Sequence, residues 1–408
     1  MSKEQSVPRL RFPGFSESSE RGQGGWERKR LGDYVDIKSG LSPASYQIVS
    51  QGLYPYIKVE DLNNCDKYQY LGRFYSNDGK NVVPQWSVIF PKRGAAILNN
   101  KIRVNAVPVL LDTNMMALST NPRHLHPEFL YYLIYTEELY KIADTSTIPQ
   151  INNKHIEPYN FSLPALPEQT KIADFLTAVD ERLQILKRKK ALLEQYKKGM
   201  MQRLFSQELR FKDADGKDFP DWEERRLGEV AQIRSGSTPL RSNSLFFEGG
   251  IIPWVKTTDL NNSLIFDTEE KVTEAAKVRI NPVHSVLVAM YGGFNQIGRT
   301  GYLMVPAATN QALSVLNTDE KLVLPKYLLI WLNAKVDAWK SIAGSSRKDP
   351  NITGSDVAAF PISYPSLAEQ TKIADFLSSL DAKIQVQQGL ISRMETWKKG
   401  LLQAMFVG

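Results

Sequence analysis

Cysteine is almost absent, with Cys65 alone in 408 residues. A single thiol excludes an intramolecular disulfide and a zinc cluster built from several cysteines, and it suits a reducing cytoplasm. Histidine is scarce as well, at 4. His124 and His126 have no third ligand suggested nearby, so they read as polar surface rather than a metal site. No stretch of about 18 apolar residues occurs, and the start MSKEQSVPRLRFPGF has no apolar core of signal-peptide length. The expectation is a cytoplasmic chain that neither leaves nor spans a membrane.

Catalytic signatures are missing too. The stretch Gly292-Gly293-Phe294-Asn295-Gln296-Ile297-Gly298 lacks the lysine and hydroxyl of a phosphate loop. Its glycines read instead as a tight turn, since glycine reaches positive backbone angles at little cost. Asp349-Pro350-Asn351-Ile352 departs at its third and fourth positions from the Asp/Asn-Pro-Pro-aromatic loop of amino-methyltransferases. With no glycine-rich cofactor-binding turn upstream, it does not read as catalytic. No Ser-His-Asp or Cys-His constellation can be assembled. The chain reads as non-catalytic, binding no cofactor or metal of its own.

What is present is the composition of a folded protein, 42% hydrophobic and 23% charged, in a chain too long for one ordinary core. A net charge of +7 makes nucleic acid a natural partner without establishing one. The organisation comes from an internal repeat of about 200 residues. EQTKIADFL occurs unchanged at Glu168 to Leu176 and at Glu369 to Leu377. Trp26-Glu27 and Arg30-Leu31-Gly32 answer Trp222-Glu223 and Arg226-Leu227-Gly228, and Ser39-Gly40 answers Ser235-Gly236. Tyr54 to Lys58 with Asp61-Leu62-Asn63 matches Ile252 to Lys256 with Asp259-Leu260-Asn261, and Thr113-Asn114 is paired with Thr309-Asn310. Leu10-Arg11-Phe12 is echoed by Leu209-Arg210-Phe211, as though a closed circle had been cut open, which suggests a pseudo-two-fold molecule.

Each half is a large unit followed by a helix. The large units carry short apolar runs between Gly, Pro and Asn, which predicts an α+β fold with many short strands. One amphipathic helix is expected in each, near 127–143 and 325–342. The segments after Pro167 and Ser366 run to about Phe205 and Phe406 without an interior proline. Leu176, Val179, Leu183, Leu186, Leu193, Met200 and Leu204 form a heptad seam that Lys190 and Lys197 interrupt. Leu377, Leu380, Ile384, Ile391, Met394, Leu401 and Met405 repeat it, interrupted by Gln387 and Lys398. A two-fold pairing of these seams is antiparallel, and about 40 residues at 1.5 Å each would act as a ruler roughly 50 to 60 Å long. The plainer reading is that each helix packs on its own unit. The expected division is 1–165, 166–208, 209–365 and 366–408.

Where repeats share a scaffold, residues that differ are the candidates for reading a sequence, and shared cations are candidates for holding phosphate. Pro91-Lys92-Arg93 in the first half stands where the second has Ala289-Met290-Tyr291. Beyond them lie Asn99, Asn100, Lys101 and Arg103 in one half, and Asn295, Gln296 and Arg299 in the other. Arg suits guanine, and Asn or Gln suits adenine, through paired hydrogen bonds. Arg241 with Asn243, and Arg347 with Lys348, are further candidates, and ordinary surface placement competes for each. Lys58 and Lys256 occupy equivalent positions, either holding phosphate or pairing with Asp61 and Asp259. The run Lys187-Arg188-Lys189-Lys190 reads first as a solvated helix face.

Leu10 to Phe15, the W-E-x-x-x-L-G starts, the P-W-V-K-x-x-D-L stretch and the doubled E-Q-x-K-I-A-x-F-L resemble type I restriction-modification specificity subunits over essentially the whole chain. The resemblance implies two target-recognition domains, each reading one half of a split, asymmetric sequence in double-stranded DNA, set apart by paired helices. It also implies two docked modification subunits supplying S-adenosylmethionine-dependent methylation. Motor-nuclease subunits would add ATP- and magnesium-dependent translocation and cleavage. The competing readings are a self-sufficient enzyme, which the missing motifs disfavour, and a protein-binding scaffold that reads no DNA.

Overall fold

The computed structural model describes residues 7–16, 25–344 and 351–406. It divides into two compact units, residues 1–187 with 389–408 and residues 188–388.

The first unit is built on a five-stranded sheet in the order Val35–Ser39, Met115–Thr120, Val88–Pro91, Arg103–Asn105, Tyr68–Gln69. Only the last pair is parallel. The second unit repeats that order with Ala231–Ser235, Leu313–Thr318, Val286–Ala289, Thr300–Leu303 and Ser263–Ile265, again with the last pair parallel. Val88 to Phe90 and Val286 to Ala289 are fully buried, so these central strands read as unbroken apolar runs. A smaller sheet accompanies each: four strands around Tyr54–Ile57 in the first unit and three around Ile252–Val255 in the second. A two-stranded ribbon ties the ends of each large unit together, Glu27–Arg30 with Asn160–Leu163 and Glu223–Arg226 with Pro361–Tyr364.

The expected amphipathic helices are shorter and differently built. Pro127–Glu137 stops at Glu138, whose φ of 57° breaks the helix before a 3-10 turn at Leu139–Ile142. Pro325–Ala334 is separated from Val336–Gly344 by Lys335, which leaves the helical region at φ −109° and ψ 17° without a positive φ. Phe129 to Ile134 and Tyr327 to Leu332 are all buried, so these helices are apolar all round and lie inside the cores.

The two long helices run Leu166–Phe205 and Leu367–Met405. Within the first unit Leu183 and Leu186 pack on Ile391, while Lys398 reaches Asp180 at 2.6 Å and Lys187 reaches Glu395 at 2.9 Å. Rising numbers on one helix meet falling numbers on the other, which makes the pairing antiparallel. Within the second unit Lys197 reaches Asp381 at 2.5 Å, and Leu204 shares a core with Leu377 and Leu380. Lys197 and Lys398, the shared breaks in the seam, thus form one equivalent ion pair in each unit. The helices also pack on their own large units, through Ile172, Ala173, Leu176 and Val179 in the first and Ile373, Ala374, Leu377 and Leu380 in the second.

The duplicated nine residues owe their identity to a clamp made twice. Arg11 donates to both oxygens of the buried Glu168, at 2.8 and 2.7 Å, and Arg210 does the same to Glu369, at 3.2 and 2.7 Å. Phe12 meets Phe175 edge-on at 5.6 Å, and Phe211 meets Phe376 at 5.9 Å. Gln169 accepts from the His126 N–H and donates to the carbonyls of His124 and Pro164; Gln370 accepts from Leu324 and donates to Leu322 and Pro365. Leu209 donates its N–H to the Arg203 carbonyl within the second unit, and Leu10 donates to Ala404 within the first. The echo at the N-terminus is thereby explained: Leu10 bonds to the last helix while Arg11 and Phe12 hold the first, as Leu209 bonds to the first helix while Arg210 and Phe211 hold the last.

One sequence pairing shifts register. The Leu111 carbonyl accepts from Leu41 as the Thr309 carbonyl accepts from Ser237, and Asp112 donates to Ile57 as Asn310 donates to Val255. Leu111-Asp112, not Thr113-Asn114, therefore stands opposite Thr309-Asn310, because the backbone ladder and not the identity of letters sets the register. The Ser-Gly pairs hold, since a Cβ on Gly40 or Gly236 would fall 1.9 Å or 2.2 Å from a backbone oxygen of that same stretch.

Candidate nucleic-acid interface

The loops leaving the central strands are held alike and carry different chemistry. Lys92 donates its N–H to Asn114 and accepts from Ile151; Met290 donates to Ala312 and accepts from Ile352. Arg93 and Tyr291 follow at matching exposed positions, and Gly94 and Gly292 then turn the chain at φ 87° and 114°. The second loop continues through Gly293 at φ 89° and exposes Phe294 and Asn295, and buried Ile297 anchors its return. Lys340 lies over the Phe294 ring at 5.6 Å. The glycines serve a turn, as their spacing suggests.

The remaining candidates separate into groups. Lys92 is half-buried, and burial pushes its pKa down. Arg103 donates to the carbonyls of Cys65, Ile102 and Leu62 at 2.7 to 2.9 Å, so it braces the strand edge and does not extend from the loop that carries Arg93. Lys101 donates to Asn63 at 2.6 Å, and the Arg299 Nε donates to the Asn295 carbonyl at 3.1 Å. Asn99, Lys101 and Arg103 line a cleft of about 940 Å³ in the first unit, together with Lys67, Lys187 and Lys399. Arg347 and Lys348 lie outside the described residues, as does the Asp349-Pro350 part of the loop discussed above.

The ammonium groups of the equivalent lysines form no ion pair with Asp61 or Asp259. Asp61 and Asp259 accept the backbone N–H of Lys58 and Lys256, at 2.9 and 2.7 Å, and so cap a short turn. The Lys58 ammonium lies over the Phe74 ring at 5.1 Å. The Lys256 ammonium instead donates to Glu270 at 2.9 Å. Glu270 also receives both terminal nitrogens of Arg241, whose guanidinium lies over Phe247 and Trp254 at 4.9 and 4.7 Å. The hydrogen bond from Arg241, with that from Lys256, holds the Glu270 carboxyl below its usual range, and the bond to Glu270 raises Lys256. Sequence reasoning missed Glu270 and Phe74, because their distance along the chain does not pair them with a lysine.

It also missed a buried charge. Lys67 is 2% exposed, donates to Thr177 at 2.7 Å and Tyr132 at 3.1 Å, and lies 3.4 Å from Glu128. Tyr132 donates to Asp180, and Tyr68 donates to Glu128. Burial pushes Lys67 down despite both carboxylates. Burial alone would raise Glu128, but the Lys67 charge and the bonds from Tyr68 and Thr177 outweigh it and leave Glu128 low. Among the described residues no group of three or more His, Cys, Asp or Glu side chains could hold a metal ion, and no helix is long and apolar enough to cross a membrane.

The family model described as type I restriction modification DNA specificity domain matches residues 23–195 and again 220–396. The chain belongs to that family. The two matches coincide with the two halves of the repeat. Among relatives, the MjaVIII specificity subunit of Methanocaldococcus jannaschii is 24% identical over 94% of this chain and 92% of its own. The MjaIX specificity subunit of the same organism is 27% identical over 62% of each chain, under two thirds of its length. The solved S subunit of a type I restriction-modification system from M. genitalium aligns over 99% of this chain and 100% of its own, with a TM-score of 0.63 at 17% identity. That likeness shows the fold: two large units of the same α+β design and two long helices.

Proposed function

We propose that this chain is the DNA-reading subunit of a type I restriction-modification complex. Each large unit, within 1–165 and 209–365, reads one part of a bipartite, asymmetric target in double-stranded DNA. The observation that carries this reading is the pair of loops fixed by the same backbone bonds but tipped by Arg93 in one half and Tyr291 in the other. A common frame with unlike tips suits a target with unlike halves. Modification subunits, two of them, dock on the long helices and bring S-adenosylmethionine. Motor-nuclease subunits bring ATP and magnesium, and the complex works in the cytoplasm. This chain supplies the address and catalyses nothing.

Base readout falls to Arg93, Asn99, Tyr291, Asn295 and Gln296, and backbone holding to Lys58, Lys92, Lys101, Arg241, Lys256 and Arg299. Base-resolution mapping of adenine methylation, in cells that hold the modification subunit with and without this gene, tests the reading. A gapped two-part motif that disappears with the gene is the expected result. Methylation that is unchanged by loss of the gene overturns it.

A further inference from the structure

The two halves treat one shared cation differently. Lys58 and Lys256 occupy the same position, each donating its backbone N–H to the aspartate three residues on. The strand beside it is in the same register as well, since Phe74 pairs with Tyr56 and Glu270 accepts from the Trp254 N–H. Tyr56 and Trp254 are themselves equivalent, donating from ring to the carbonyls of Leu41 and Ser237. Phe74 and Glu270 are therefore alternatives at one place. In the first half the ammonium rests on a ring, and in the second it meets a carboxylate that Arg241 shares.

We propose that Glu270 is a specificity-determining latch: it occupies Lys256 and Arg241 until a DNA phosphate takes its place. This rests on the function proposed above. Glu270 and Lys256 are each 24% exposed and Arg241 53%, so the cluster is open to an incoming anion. The Arg241 guanidinium also lies over the Phe247 and Trp254 rings, contacts that do not involve the carboxylate. A phosphate arriving there exchanges one anion for another and meets the charge of Glu270, so its net attraction is small. Contact is completed only when base contacts hold the duplex in place. Without a carboxylate at Phe74, Lys58 imposes no such condition on the first half.

The test measures binding of the full chain, assembled with its modification subunit, to a duplex carrying the mapped target and to a scrambled duplex over a salt series. Preference of the unaltered complex for the target is the first reading, and its absence overturns the proposed function and the latch together. Given that preference, Glu270→Gln is expected to bind the scrambled duplex about three- to tenfold tighter, with the slope of log K against log salt steeper by about one. The target should gain less, so discrimination falls. Phe74→Glu, which installs the carboxylate beneath Lys58, should weaken scrambled binding and flatten the slope by about one. It carries the test alone if Glu270→Gln does not fold. Unchanged or weaker scrambled binding by a folded Glu270→Gln complex overturns the latch. Weakening on the target alone also overturns it and makes Glu270 a base reader.

Discussion

The two halves keep their clamps and differ in what they bury beside them. Arg11 with Glu168 and Arg210 with Glu369 match almost atom for atom. Around Lys67, however, the first half buries a cation among Tyr68, Tyr132, Glu128 and Asp180, where the second has Ser263, Leu264 and Ile330 on the equivalent strand and helix. Each long helix starts on the same Arg-Glu-Gln-Phe set. In the second half Ile330 is buried, Ser263 half-buried and Leu264 exposed, so no charge is enclosed there, whereas the first half encloses one that is paired and hydrogen-bonded.

The comparison can be broken most forcefully at the clamps. Arg11→Met and Arg210→Met each leave a buried carboxylate without its cation, and each is expected to cost about 3 to 5 kcal/mol in urea unfolding. Similar losses support equivalence, and a loss confined to one would end it. A smaller effect, about 2 to 4 kcal/mol, is expected from Lys67→Met, with no parallel from Ser263→Ala. This variant also sharpens the comparison through pH. The lowered pKa of Glu128 means that its stabilisation is complete above the ordinary 4.5 and is lost as pH falls through the lowered value. Lys67→Met should remove that acid loss, seen as a flatter dependence of the unfolding midpoint on pH. At the loops, Arg93→Ala and Tyr291→Ala should each change preference at one position by about 1 to 3 kcal/mol, each in a different half of the target, as read by competition binding.

How much of this the sequence discloses follows from the range of each interaction. The repeat, the long helices and their antiparallel seams are legible because they rest on periodicity and identity. The clamp residues are legible as identities, while their pairing is not, since Arg11 and Glu168 lie 157 positions apart. The lysines at 58 and 256 are found by alignment, yet their partners belong to a neighbouring strand whose register only the sheet defines. Arg103 is drawn into the reading set by its nearness to Asn99, and the fold turns its donors inward to three carbonyls. Thr113-Asn114 misleads for a related reason, because shared letters two residues out of register look like homology until the ladder is seen.

The central claim is that each half reads its own part of the target. It is tested most directly by a chain in which residues 1–208 are followed by a second copy of themselves, assembled with the modification subunit and assayed by base-resolution methylation mapping. The account predicts a gapped, symmetric motif built from two copies of the first half-site. Retention of the original asymmetric motif by this folded hybrid would contradict it, because no second-half loop would remain to read the other side.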